Sequence, residues 1–89
     1  MASEAAPAVG QLRQDGIIAN AEIAAAVEAY LSNWKRPPFR FESGHVLDVP
    51  AAVYAYPQAR AVVTEREATE AYRRTIVRTA VILATPEVR

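Results

Sequence analysis

The chain has no cysteine. Disulfide staples, thiolate nucleophiles and cysteine metal sites are thereby excluded, and the composition fits a reducing compartment. Histidine occurs once, at His45, and the three glycines, Gly10, Gly16 and Gly44, stand apart from one another. A phosphate-cradling loop needs glycines clustered at fixed spacing, so none is expected. An excess of either charge is also missing, because ten basic residues balance ten acidic ones. Phosphate affinity comes mainly from neutralising cations, so this balance argues against a dedicated nucleic-acid binder. No apolar run is long: "AVILA", near the C-terminus, falls far short of the roughly 20 residues that span a bilayer. The opening "MASEAAPAVG" has neither a basic region nor an apolar core, so no secretory leader is expected there. No membrane partner is expected. The expected location is the cytoplasm, or a particle assembled in it.

Eighty-nine residues fit one domain. Apolar residues make up 52% of the chain, yet Leu, Ile, Val and Phe supply only 21 of the 89 positions. Much of the remainder is alanine, which buries little area. The core is therefore thin, and a chain this short is marginal alone and leans readily on a partner. Zero net charge removes the repulsion that keeps copies apart.

Residues 1–15 read as a flexible or docked tail, and 16–89 as a single small α+β domain. Asp15-Gly16 is a turn signal. A first helix is expected over about 18–34, because Ile23, Val27, Tyr30, Leu31 and Trp34 recur on one face. Asn20 is a candidate N-cap. Pro37-Pro38 ends that helix. "FRFE" and "HVLDV" alternate apolar and polar residues about Ser43-Gly44, which reads as a β-hairpin. "AAVYAY" (51–56) and "ARAVV" (59–63) read as third and fourth strands, with a short helix opening at Pro50 as the alternative. "TERE" (64–67) has the form of a capping box for a long second helix. Ala68, Tyr72, Ile76, Ala80 and Leu83 would be its buried stripe, and Glu70 would pair with Arg74. Residues 76–84 are β-branched and apolar nearly all round. They read as helix, which then needs cover on several sides, with a strand as the alternative. The fold class is α+β: an N-terminal helix, a small mainly antiparallel sheet and a long C-terminal helix. The alternative is mostly α.

"SNWKRPPFRFESGH" (32–45) concentrates aromatics, positive charge and proline. Trp34, Phe39 and Phe41 can anchor a partner, with Arg36 and Arg40 around them, since Trp, Tyr and Arg dominate many interfaces. The competing reading is architectural: the aromatics close the core, the prolines turn the chain, and the arginines complement a helix C-terminus. Aromatics interleaved with arginines also suit nucleic acid, but the nearby glutamates weigh against it. Tyr54 and Tyr56 would share one face of a strand, as an interface if exposed or as core if buried. His45 and Asp48 lie three apart, so on a strand they face opposite sides, which argues against acid–base chemistry. One histidine among scattered carboxylates is a poor metal set. No catalytic residue, metal or cofactor is expected.

These readings favour a non-enzymatic interaction or assembly protein, a small subunit of a homo-oligomer or of a larger particle such as a virion. The alternative is a small regulator or inhibitor that binds one protein or nucleic-acid partner through the Trp34–Phe41 segment.

Overall fold

The computed structural model describes residues 6–33 and 38–88. Among these described residues, five helices surround one core, with a small sheet at one side. The helices are α1 (Val9–Gln14), α2 (Asn20–Ser32), α3 (Val49–Ala55), α4 (Pro57–Val63) and α5 (Glu70–Leu83). The strands are β1 (Phe39–Arg40), β2 (His45–Leu47) and β3 (Glu87–Val88). They form an antiparallel sheet in the order β1-β2-β3. The α+β class expected from the sequence is observed, with helix predominating.

Within the segment read as a tail, α1 is docked. Its Val9 and Leu12 are buried, and the Val9 N–H donates to the Ala84 carbonyl at 2.9 Å. Gly10 lies so close to α5 that a Cβ there would stand 2.8 Å from Ile82 Cγ2. The Asp15-Gly16 turn ends α1. Gly16 takes φ of 78°, its N–H donates to the Arg13 carbonyl, and the Ile17 N–H reaches back to Leu12. That pattern closes orphan carbonyls with a left-handed residue, which glycine adopts without steric cost.

The first long helix starts two residues later than expected. Asn20 is not its cap; Ala19 holds that position and has no side-chain acceptor. Glu22 supplies the missing partner by accepting from the Ala19 N–H at 3.3 Å. Its other carboxylate oxygen accepts from the Glu42 N–H at 3.0 Å, tying the hairpin to the start of α2. Ile23, Val27 and Tyr30 are buried as the helical period requires, and Leu31 is half-buried.

The hairpin forms as read. Phe39 opposes Leu47 and Arg40 opposes Val46. Its turn closes through the Gly44 N–H on the Phe41 carbonyl, with Gly44 at φ 94°. The third strand was not foreseen: β3 returns from α5 to lie beside β2.

The strands expected over 51–56 and 59–63 are instead α3 and α4. Asp48 caps α3 by accepting from the Ala51 N–H at 3.1 Å, and Pro50 sits in the first turn, where a missing N–H costs nothing. Pro57 likewise opens α4 directly after α3. Alanine at positions 51, 52, 55, 59 and 61 adds strong helix propensity, which outweighs a short alternating pattern.

The capping box "TERE" does not open α5. Thr64 ends α4, and its hydroxyl donates to the Ala61 carbonyl at 3.0 Å. The cap is Thr69, whose Oγ1 accepts from the Tyr72 N–H at 3.0 Å. The helix runs through residues 76–83 and is covered by α1, α2, α3 and α4. Its buried residues are Ile76, Val77, Ala80 and Val81, so the inward face is turned relative to the expected stripe. Tyr72 and Leu83 are exposed.

Candidate functional site

Phe39 and Phe41 alternate with Arg40, so the two rings share one side of the hairpin. They meet edge to face with centroids 5.1 Å apart, a geometry favoured by the ring quadrupoles. Phe41 is buried at 1% exposure and belongs to the central cluster; Phe39 is half-buried against it. Arg40 points the other way and is exposed. These placements agree with the architectural reading for the two phenylalanines. Trp34 and Arg36 lie outside the described residues.

Tyr54 and Tyr56 do not share a face, because Tyr54 is helical and Tyr56 is the residue between α3 and α4. Tyr54 is 68% exposed, with the Arg60 guanidinium 5.0 Å from its ring centroid. Tyr56 is half-buried, and its hydroxyl donates to Gln58 Oε1 at 2.7 Å.

His45 is on β2, and its Nδ1 lies 2.7 Å from the Ser43 hydroxyl. That bond spans the hairpin turn and braces it. Asp48 is engaged as the cap of α3. Among the described residues, no group of three or more His, Cys, Asp or Glu is placed to hold a metal ion. No helix of the described residues is long and apolar enough to cross a membrane.

Two surface features do gather residues. The first is a trough where α3 meets the end of α5. A shallow apolar depression of about 160 Å³ is lined by Ala52, Ala55, Tyr56, Ala80, Leu83 and Ala84. It adjoins a larger groove of about 370 Å³ that runs towards the sheet, sharing Ala52, Ala55 and Ala84 with it. Leu83 stands on its rim at 60% exposure. The sequence places Leu83 in the buried stripe of this helix, but the inward face is formed by Ile76, Val77, Ala80 and Val81, and Leu83 lies at its edge near the helix end.

The second is a cleft of about 400 Å³ between α2, the end of α4 and the start of α5. Leu31 and Val63 form apolar walls, while Tyr30, Thr64, Glu70 and Arg73 bring polar groups. Tyr30 is buried to 8% exposure. Burial pushes its phenol pKa above the usual value, so the hydroxyl remains protonated across the physiological range. Arg73 donates through Nη2 to the Glu65 carbonyl, which holds the 64–69 turn against α5. Its Nε is sealed from solvent without a hydrogen-bond partner.

No protein-family model, curated protein or solved structure matches the chain.

Proposed function

We propose that the protein is a non-enzymatic interaction subunit that associates with further copies of itself. The α3–α5 trough supports this reading above all. It is apolar, floored by alanines and rimmed by an exposed leucine. Alanine lets a second backbone approach closely, and the leucine supplies an anchor for a facing apolar surface. The balanced charge of the chain puts no net repulsion between copies. The subunit would work in the cytoplasm or within a particle assembled there, such as a virion.

The test is native mass spectrometry of the wild type beside Leu83→Asp. The wild type is expected in integer multiples of 9.7 kDa, and the variant as single chains. Because Leu83 is exposed, the variant's own fold should change by no more than about 0.5 kcal/mol. A wild type that stays monomeric at about 100 µM would rule out association of useful strength.

Arg40 favours a second reading. It is exposed on β1, which has β2 on one side only and so forms a sheet edge. A small regulator or inhibitor could engage one protein or nucleic-acid partner there, through residues 34–41. In that case the spectrum carries a co-purified partner. Arg36→Ala combined with Arg40→Ala removes it while the melting temperature stays unchanged.

A further inference from the structure

The cleft between α2, α4 and α5 lies apart from the trough, and its lining has a distinctive chemistry. Its volume of about 400 Å³ is within the range of small-molecule sites, roughly 300–1,000 Å³. It holds one cation and one anion, Arg73 and Glu70. They sit three apart on α5 and therefore on neighbouring positions of one helix face. Neither is within salt-bridge distance of a partner among the described residues, where the one salt bridge joins Arg74 to Glu28, although Glu70 also acts electrostatically on Arg74. The Arg73 guanidinium touches only a backbone carbonyl, which leaves its charge unneutralised. Tyr30, 8% exposed as a residue, adds a hydroxyl that has no hydrogen-bond partner among the described residues and is not sealed from solvent. An unpartnered, accessible hydroxyl lining a cleft is free to donate to a ligand that enters it.

We propose that this cleft binds a small zwitterion with an apolar body, of the chemical class of a free apolar α-amino acid. The ligand carboxylate accepts from the Tyr30 hydroxyl and faces Arg73. Its ammonium group faces Glu70, with the Thr64 hydroxyl oxygen as a further acceptor. The apolar side chain lies on Leu31 and Val63. A simple anion meets the Glu70 carboxylate, and a simple cation meets Arg73. Only a ligand carrying both charges is matched by both. Tyr30 donates over the whole range in which an amino acid is zwitterionic, because burial keeps its phenol protonated.

The probe is L-phenylalanine, with L-leucine as a second, titrated into the ¹⁵N-labelled full chain and followed by amide chemical shifts. Saturable shifts are expected at Tyr30, Leu31, Val63, Thr64, Glu70 and Arg73, with Kd of about 1 mM or tighter. Phenylpropionate, which lacks the ammonium, and phenethylamine, which lacks the carboxylate, should each bind roughly tenfold more weakly. Tyr30→Phe keeps the buried ring and should weaken L-phenylalanine by roughly tenfold. Glu70→Gln, at an exposed position, should erase the preference over phenylpropionate. The proposal is overturned by any of three results: no saturable shift up to about 10 mM of either amino acid, a single-charge analogue that binds as tightly, or full affinity in Tyr30→Phe. None of these measurements depends on whether copies of the chain associate.

Discussion

Arg74 leaves its own helix to find a partner. The spacing of Glu70 and Arg74 suggests a pair along α5; Glu70 does act electrostatically on Arg74, but the guanidinium makes its direct contact with Glu28 on α2. It binds through Nε to one carboxylate oxygen and through Nη2 to the other, the latter at 3.1 Å. Two parallel bonds to a planar acceptor are stronger and more directional than one contact along a helix face. The hydrogen bond from Arg74 holds the Glu28 carboxyl below its ordinary value of 4.5. The native state therefore binds fewer protons than the unfolded one around that value. The pair's contribution is complete above 4.5 and is lost as pH falls through the lowered native value. Glu28→Gln should accordingly melt below the wild type at pH 7, with the gap closing in acid and narrowing in high salt. A gap that persisted in acid would assign the effect to packing instead. Phe41 and Arg40, adjacent in sequence, should separate sharply in chemical denaturation. Phe41→Ala removes a fully buried ring and should cost about 3–5 kcal/mol, whereas exposed Arg40→Ala should stay within about 0.5 kcal/mol. A large loss at Arg40 would mean that its side chain supports the hairpin.

Two threonines compete to start the last helix, and the outcome is a matter of elements rather than residues. "TERE" carries the stronger local signal, but α4 runs through Val63 and needs Thr64 to finish it. The next threonine then takes the cap. Thr69→Ala should destabilise the protein by about 1 kcal/mol and lower the protection of the first-turn amides of α5 in hydrogen exchange. Equal sensitivity at Glu67→Ala would instead restore the capping box. Elements whose signals were local were readable: the period of Ile23, Val27 and Tyr30, the alternation about Ser43-Gly44, and the turn at Asp15-Gly16. Misreadings arose where a short pattern suited two structures. "AAVYAY" alternates like a strand, yet its proline and alanines form a helix, so the expected Tyr54–Tyr56 face never assembles. β3 carries almost no local signal, because its two residues are a strand only by pairing with β2. The trough and the cleft were illegible for a related reason. Their residues come from helices distant in sequence, and no spacing along the chain records which exposed positions become neighbours.

At the scale of the molecule, α5 is the shared wall. The other four helices all pack on it, and its end receives the Val9 amide as well. Association through the neighbouring trough would couple assembly to folding. The wild-type melting temperature should then rise with protein concentration, and that of Leu83→Asp should not. A wild-type value independent of concentration would place the trough outside any interface. The central place of α5 also bears on synthesis. A ribosome delivers α1 to α4 before the helix on which all of them rest. Until then the buried side chains of α1 and α2, Val9, Leu12, Ile23 and Val27 among them, lack their main neighbour. The nascent chain therefore passes through a stage of exposed apolar surface that is open to chaperones and to premature self-association. Completion of the fold waits on the last helix to emerge, so the order of translation, as much as the final packing, governs how this protein reaches its structure.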